Sequence, residues 1–118
     1  KGIIADWIYI CDFDHVFADI DRPITEQGIV KSPVRIGPDV WIGTKVSVLR
    51  GTTVGHGCVL AANSVVRGNV PPMSVMGGVP ARLLKDRVGE YRAAEQQRID
   101  VADIARKTAK AAKEHAGR

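Results

Sequence analysis

The sequence predicts an all-β solenoid, a parallel β-helix of six-residue repeats, with one looped-out segment and a C-terminal α-helix. Three observations predict it: an aliphatic residue recurs at every sixth position, glycine or alanine often follows it, and aromatic residues make up only 5% of the 118-residue chain. A period of six matches neither an α-helix, at about 3.6 residues, nor a flat strand, at about 2. It fits coils of three short strands and three corners, about 18 residues each, whose interior is buried only when coils stack.

The repeat is clearest from residue 30 onward. The aliphatic residue predicted to fill the interior occurs seven times in succession: Val30, Ile36, Ile42, Val48, Val54, Leu60 and Val66. A compact residue four positions later is predicted to face inward as well: Val34, Val40, Val46, Thr52, Cys58, Ser64 and Val70. The glycines that follow the aliphatic residues are expected to relieve the corners. A β-sandwich with loosely alternating strands is the alternative interpretation.

The six-residue frame is interrupted near the start of the chain. Ile4 and Ile10 already carry the spacing, but position 22 is Arg, so the chain is predicted to leave the solenoid at about residues 15–29. That stretch is polar and loop-like. Because functional residues concentrate on loops that a rigid scaffold positions, the looped-out segment is the first place to look for a site.

The repeats are predicted to end at Pro71-Pro72, because proline has no N–H group for a continuing ladder. Residues 1–80 are therefore assigned to the solenoid and residues 81–118 to a C-terminal turn and α-helix. From about Glu90 to Ala116 the chain has neither Gly nor Pro and is rich in helix-forming residues. The helix is expected to pack on the solenoid or on a neighbouring subunit.

Composition narrows the class of function. The formal net charge is +4, and all of it lies in residues 81–118, without the interleaved aromatic residues of a nucleic-acid-binding surface. No apolar run approaches the roughly 20 residues of a membrane span. The two cysteines, Cys11 and Cys58, form no CxxC zinc spacing, and they favour a reduced, cytoplasmic setting. The start has neither an initiator Met nor the form of a signal peptide, and we interpret the chain as part of something longer.

Three segments carry a family resemblance. They are Asp12-Phe13-Asp14-His15 before the looped-out segment, Val40-Trp41-Ile42-Gly43 within the repeats, and Gly78-Val79-Pro80-Ala81-Arg82 after them. Over roughly residues 4–88 the chain resembles the galactoside, maltose and polysaccharide O-acetyltransferases and the xenobiotic acetyltransferases, a group of hexapeptide-repeat acyltransferases. The resemblance implies a left-handed β-helix, a homotrimer, and acetyl-CoA bound in the groove between neighbouring β-helices.

The resemblance also implies roles for single residues. His15 matches the family's catalytic histidine, which lies just before a looped-out segment. Thr44 and Ala62 match positions that contact the pantetheine arm of CoA. Arg82 and Lys85 match two basic positions at the nucleotide end of CoA.

Three further residues belong to the predicted CoA site: Trp41, Gly43 and Arg67. Trp41 is interpreted either as an apolar wall along the CoA arm or as a side chain packed at a subunit interface, where aromatic residues are enriched. Where relatives often read Thr-Lys-Asp, this chain reads Arg67-Gly68-Asn69. Arg67 is therefore a candidate to replace the family lysine at the 3′-phosphate of CoA.

Acetyl transfer from a thioester requires a base for the acceptor hydroxyl and a donor for the tetrahedral oxyanion. His15 suits the first role, because an imidazole exchanges a proton near neutral pH. Asp12, Asp14 or a backbone carbonyl are the candidates to orient it. The oxyanion donor is expected near Gly43-Thr44, as a backbone N–H group or a hydroxyl.

The sequence therefore predicts an acetyl-CoA-dependent O-acetyltransferase that transfers an acetyl group to a hydroxyl of a sugar, a polysaccharide or a related small molecule. No metal is expected. A γ-type carbonic anhydrase is one alternative, although it requires three zinc-binding histidines across an interface. A non-catalytic trimeric solenoid is the other. Residue patterns do not identify the acceptor.

Overall fold

The computed structural model describes residues 1–116. Two units follow each other along the chain: Lys1–Asp86 contains every strand, and the second unit begins at Arg87. The strands are β1 (Ile3–Ile4), β2 (Tyr9–Ile10), β3 (Phe13–His15), β4 (Ile29–Lys31), β5 (Arg35–Ile36), β6 (Trp41–Ile42), β7 (Ser47–Val48), β8 (Thr53–Val54), β9 (Val59–Leu60), β10 (Val65–Val66), β11 (Asn69–Val70), β12 (Ser74–Gly78) and β13 (Ala81–Asp86). A short 3₁₀ helix spans Ile24–Glu26, and α1 spans Arg87–Ala116.

Three parallel sheets form the faces of the first unit. The first face contains β1, β6, β9 and β12, the second β2, β7 and β10, and the third β5, β8 and β11. Paired residues lie 18 positions apart along the chain, as residue 41 with 59, 47 with 65 and 35 with 53 show. The predicted solenoid of parallel strands, with three strands to a coil and an α-helix after it, is confirmed. The chain turns a corner between one face and the next. We call the turn from the first face to the second the first corner, and the turn from the second face to the third the second corner. The turn from the third face back to the first is the third corner.

The interior is filled by the two residue sets that the period predicts. The buried side chains of these sets are Val40, Ile42, Val46, Val48, Thr52, Val54, Cys58, Leu60, Ser64, Val66 and Val70, and Ser74 is buried in addition to them. Their polar atoms are bonded: the Thr52 hydroxyl donates to the Leu49 carbonyl at 2.6 Å, and the Ser74 hydroxyl and the Cys58 thiol both donate to the Pro71 carbonyl. A buried hydroxyl left without a partner would cost about 1–3 kcal/mol, so these bonds allow small polar residues to occupy the narrow interior.

Four residues of the predicted interior series are exposed: Ile4, Ile10, Val30 and Ile36. Ile4 and Ile10 pair in register with Ile42 and Val48, but Ile4 is 66% exposed because no further coil covers the open side of its edge strand within the described residues. The inclusion of Val30 in the series was wrong. Val30 lies in β4, outside the three faces, where it pairs antiparallel with Asp14.

The corners depend on a different position from the predicted one. Residues with φ between 58° and 73° recur every six positions at Asp39, Lys45, Gly51, Gly57 and Asn63. The glycines that follow the aliphatic residues instead allow the backbones of adjacent coils to approach each other closely. A Cβ at Gly43 would lie 2.7 Å from the Ala62 nitrogen, and one at Gly55 would lie 2.6 Å from the Pro72 nitrogen. Because adjacent backbones approach so closely there, a side chain would push the coils apart.

The predicted end of the repeats at Pro71-Pro72 was wrong. β12 continues the first face beyond the two prolines, with Val75 paired to Val59. The prolines lie at the corner between β11 and β12, where no ladder N–H is required. The last coil is shorter, since residue 69 pairs with 53 and residue 75 with 59, each 16 positions away. Val70 therefore occupies the inward position equivalent to Val54.

Residues 81–86, which were expected to form part of a turn, form the strand β13, antiparallel to β12. The Val79–Pro80 peptide between these strands is cis. The helix α1 begins at Arg87, slightly before the predicted start, and has no buried residue; ion pairs at helical spacing such as Lys107 with Asp103 lie along it. Within residues 1–116, no helix combines the length and the apolar composition needed to cross a membrane.

Candidate functional site

The looped-out segment is an antiparallel hairpin at the second corner. β3 pairs with β4 in the register Phe13 to Lys31, Asp14 to Val30 and His15 to Ile29. Residues 16–28 form the loop between the two strands, at the place where the excursion was expected. Residue 3 pairs with 41 and residue 9 with 47, so the coil that contains the hairpin takes 38 residues where an ordinary coil takes 18. The hairpin therefore interrupts the six-residue repeat, but the strands on either side of it still stack in register on the next coil.

His15 is the last residue of β3 and is exposed. Its ring lies edge-on to Phe13, with 5.9 Å between ring centroids and an interplanar angle of 86°. Successive side chains of a strand point to opposite faces, so Asp14 projects away from the imidazole. The Asp14 carboxylate instead accepts a hydrogen bond from Arg50 Nε at 2.8 Å. Of the candidates to orient the imidazole, Asp14 does not fit this structure.

The loop of residues 16–28 is closed by the side chain of Gln27. Its Nε2 donates to the carbonyl oxygens of Asp19 and Arg22, both at 2.8 Å, and its Oε1 accepts from the Asp19 N–H at 3.1 Å. The Arg22 guanidinium donates to the Glu26 carbonyl at 2.8 Å. Sequence reasoning missed Gln27, because one glutamine in a polar loop carries no pattern. The loop next to His15 is thus ordered by its own polar contacts.

Tyr9, on the strand before the hairpin, has a phenol whose pKa is shifted from its ordinary value. The interaction with the neighbouring Cys11 side chain raises the pKa of the phenol, with smaller contributions from desolvation and from the Asp14 charge. Tyr9 therefore stays neutral at physiological pH and offers no competing base beside the hairpin.

Four of the predicted CoA-binding residues meet in one groove at the first corner. Trp41, Gly43, Thr44 and Ala62 line it, and the groove has a volume of about 360 Å³. Its remaining walls come from the aliphatic residues Ala5, Val59, Leu60 and Ala61. The groove is largely apolar and open, which suits a thin, flexible ligand chain better than a compact polar one.

The residues that line the groove differ in how their polar groups are bonded. The Thr44 hydroxyl donates to the Asp6 carbonyl at 2.7 Å, and the Gly43 N–H donates to the Leu60 carbonyl at 2.8 Å. In the part of the chain that the structure describes, the N–H groups of Thr44 and Ala62 donate no hydrogen bond. Of the donors expected near Gly43-Thr44, the hydroxyl is therefore already engaged and the Thr44 N–H is available to a ligand.

Arg82 and Lys85 reach the same face of the sheet because β13 is irregular. Residues three positions apart in a regular strand point to opposite faces. Here the register shifts: Lys85 pairs with Val75 and Arg82 with Gly77, and the bulge between these pairs places both basic residues on the outer side of the first face. Trp41 lies on that side too, three strands away at about 14 Å.

The structure leaves Arg67 and His15 apart from the groove. Both belong to the second corner, since Arg67 connects β10 to β11 and His15 lies on the hairpin between β2 and β5. Within one chain, His15 therefore lies at a different corner from the residues that line the groove. Within residues 1–116, no three His, Cys, Asp or Glu side chains are placed to hold a metal ion together.

Comparison with known proteins identifies hexapeptide-repeat relatives. The family model described as bacterial transferase hexapeptide (six repeats) matches residues 33–68. A probable acetyltransferase of Mycobacterium tuberculosis is 57% identical in an alignment 111 positions long, which covers 91% of this chain and 37% of the relative. A putative lipopolysaccharide biosynthesis O-acetyltransferase of Escherichia coli is 40% identical in an alignment 90 positions long, which covers 70% of this chain and 46% of the relative. The chain thus spans less than half the length of these curated relatives.

Solved structures of hexapeptide-repeat acetyltransferases are also similar to this chain. A hexapeptide-repeat acetyltransferase of Vibrio cholerae, complexed with acetyl coenzyme A, has a TM-score of 0.61 and 38% identity over 67% of this chain and 42% of that one. A maltose O-acetyltransferase of Clostridium difficile has a TM-score of 0.66 and 34% identity over 73% of this chain and 45% of that one.

Proposed function

Because the chain carries the hexapeptide repeats of the bacterial transferases and is similar to hexapeptide-repeat acetyltransferases in sequence and fold, we propose that it is the CoA-binding and catalytic part of an acetyl-CoA-dependent O-acetyltransferase. The acceptor is a hydroxyl of a sugar, a polysaccharide or a related small molecule. The groove at the first corner carries this proposal, since it gathers Trp41, Gly43, Thr44 and Ala62.

The groove fits the pantetheine arm of CoA, a thin chain of apolar segments joined by two amides. Trp41, Val59 and Ala61 provide the apolar wall, and the N–H groups of Thr44 and Ala62 provide donors for amide carbonyls or for the thioester oxygen. A donor aimed at the thioester oxygen would stabilise the negative charge that develops when the hydroxyl attacks. In this assignment the oxyanion donor is a backbone N–H group and not the Thr44 hydroxyl.

The experiment that tests the function measures binding and turnover together. Acetyl-CoA should raise the Tm of the protein, and free CoA should be released when maltose, a galactoside or chloramphenicol is supplied as the acceptor. Reactions without acceptor give the background hydrolysis. Absence of acetyl-CoA binding would contradict the proposal and favour a non-catalytic solenoid, and zinc-dependent hydration of CO₂ would favour the carbonic anhydrase.

Arg82 and Lys85 are proposed to hold the phosphorylated end of CoA. Both lie on the outer side of the first face, beyond the groove, and charge-assisted bonds from exposed cations should contribute about 1–2 kcal/mol for the pair. Replacing both by Ala should therefore weaken CoA binding about tenfold or somewhat more.

Dephospho-CoA, which lacks the 3′-phosphate, makes this test specific. It should bind more weakly than CoA to the wild type, but with little difference to the double variant. Arg35→Ala, which removes an exposed cation from the third face, is the matched control. If the wild type and the double variant discriminate the two ligands equally, the 3′-phosphate is held elsewhere, and Arg67 becomes the next candidate.

We further propose that the complete site forms between copies of the chain in a homotrimer. His15 and Arg67 belong to the second corner and the groove to the first, so a neighbouring copy must bring the two together. A three-sided solenoid related to its neighbours by a closed three-fold rotation makes three equivalent sites. The outer residues of the first face, such as Trp41 and Val59, are apolar enough to contribute to both the groove and the contact.

Deleting residues 87–118 should leave the trimer intact, because the proposed contacts lie in residues 1–86. Light scattering measures the mass of the truncated product at the same protein concentration as the full chain. A truncated chain that is monomeric would show that α1, and not the solenoid, holds the copies together.

The winding of the coils is proposed to be left-handed, as the resemblance implies. A cytoplasmic location is proposed from the two free cysteines: Cys58 is buried as a thiol that donates to the Pro71 carbonyl, and Cys11 donates to the Phe13 carbonyl.

A further inference from the structure

We propose that Arg50 is a positioning residue: it fastens the hairpin that carries His15 to the solenoid and so fixes the direction in which the imidazole projects. The catalytic consequence rests on the function proposed above, whereas the fastening itself does not.

Arg50 holds both strands of the hairpin at once. It lies at the second corner, between β7 and β8. Its Nε donates to Asp14 Oδ2 at 2.8 Å, and its Nη1 donates to Ser32 Oγ at 3.2 Å. Asp14 belongs to β3, and Ser32 directly follows β4. The Gly51 N–H next to Arg50 donates to the Ser32 carbonyl at 3.2 Å. The second corner is therefore hydrogen-bonded to the base of the hairpin through both backbone and side chain.

Little else holds the hairpin in place. β3 and β4 pair over three residues only, and one backbone bond flanks the pair at each end: the Val16 N–H donates to the Gly28 carbonyl, and the Ser32 N–H donates to the Asp12 carbonyl at 2.8 Å. The apolar residues of the two strands are exposed, with Phe13 at 37% and Ile29 at 49%. Segments with few buried apolar contacts open locally at low free-energy cost, so the polar contacts at the base carry much of the order of this segment.

The alternation of side chains links the Arg50 contact to the orientation of His15. Asp14 and His15 are consecutive residues of β3 and project to opposite faces. Fixing the Asp14 carboxylate against the solenoid therefore directs His15 outward, away from its own coil. A guanidinium suits this role, because its donors are held in a rigid fork that specifies direction as well as distance.

The contact should affect local order more than global stability. The side chains of Arg50 and Asp14 are 35% and 52% exposed, and exposed ion pairs contribute little to the free energy of unfolding. The buried interior of the solenoid does not include either residue. A substitution at Arg50 is thus expected to loosen the hairpin and leave the coils as they are.

The experiment compares Arg50→Ala, Arg50→Lys and the control Arg35→Ala in the full chain. Hydrogen exchange is followed at the Val16 and Ser32 amides, which bond within the hairpin, and at the Trp41 and Gly43 amides, which bond between coils. Arg50→Ala should speed exchange at the hairpin amides about tenfold or more and leave the coil amides unchanged. Lysine offers a charge without the fork, so Arg50→Lys should fall between the wild type and Arg50→Ala.

Turnover supplies the second reading, with acetyl-CoA and the acceptor panel described above. Arg50→Ala should lower kcat by about ten to a hundredfold, because small misplacements of a reacting group cost that much, while the KM for acetyl-CoA stays unchanged. The double variant Arg50→Ala, Asp14→Ala should lose no more than the single one, because the two residues act through one contact.

Each remaining outcome overturns a defined part of the proposal. Unchanged exchange at the hairpin amides overturns the fastening. Faster exchange with wild-type kcat overturns the positioning role, and equally faster exchange at the coil amides shows a general structural role instead. If the wild type itself transfers acetyl to no acceptor, the proposed function fails, and with it the positioning role of Arg50 in catalysis; the exchange data still decide whether Arg50 fastens the hairpin.

Discussion

Replacing His15 by Ala is expected to lower kcat by about 10² to 10⁴, while the Kd for acetyl-CoA stays near the wild-type value. His15 is exposed at the end of β3, and within the described residues its imidazole makes no hydrogen bond that would occupy either nitrogen. An accessible imidazole can accept the proton of an acceptor hydroxyl as the hydroxyl attacks the thioester. Because His15 lies at the second corner and the groove at the first, its removal should not disturb the walls that hold the CoA arm.

The measurement pairs turnover with binding. Release of free CoA gives kcat with the best acceptor of the panel, and calorimetry gives the Kd for acetyl-CoA. His56→Ala is the matched control, since His56 is an exposed histidine at the third corner, away from both the hairpin and the groove. A His15→Ala variant that retains most of its turnover would remove His15 from the mechanism.

Replacing Leu60 by Ala is expected to lower the free energy of unfolding by about 2–5 kcal/mol. Leu60 is fully buried, and the parallel ladder places it between Ile42 of one coil and Met76 of the next. Truncation leaves a cavity between two coils whose spacing is fixed by the ladder, so the neighbours cannot close the space. The loss is large relative to the 5–15 kcal/mol by which domains are ordinarily stable.

Leu83→Ala is the control for this prediction. Leu83 is a leucine of β13 that is 59% exposed, so its truncation removes similar atoms but should leave no cavity. Urea unfolding of both variants at one protein concentration gives the comparison, because assembly would make stability depend on concentration. A loss below about 1 kcal/mol for Leu60→Ala would mean that the coils relax into the space.

The predicted solenoid follows from a constraint that acts at every repeat. A thin coil has room for one aliphatic side chain and one compact side chain per strand, so the interior imposes its period directly on the sequence. The residues from Ile42 to Val66 satisfy that constraint and are buried. The looped-out segment was visible for the same reason, as a stretch in which the period fails.

The candidate site was predictable only in part. Thr44 and Ala62 were matched through the family resemblance, Trp41 was interpreted as either a wall of the CoA site or an interface residue, and Gly43 was expected near the oxyanion donor. The structure brings these four residues into one groove. Arg50 was missed, because a single arginine at a corner has no signal until its partners Asp14 and Ser32, far away in the chain, are placed beside it.

The sequence by itself determined the periodic part of this protein: three strands to a coil, 18 residues to a turn, and the identity of most inward residues. Tertiary structure decided where the period is broken. The shortened last coil continues past Pro71-Pro72, and the bulge in β13 turns Arg82 and Lys85 to one face. The physical reason is that a repeating interior constrains each residue locally, whereas a register shift depends on which backbone groups of a neighbouring strand are free to pair, and that is settled only when the strands meet.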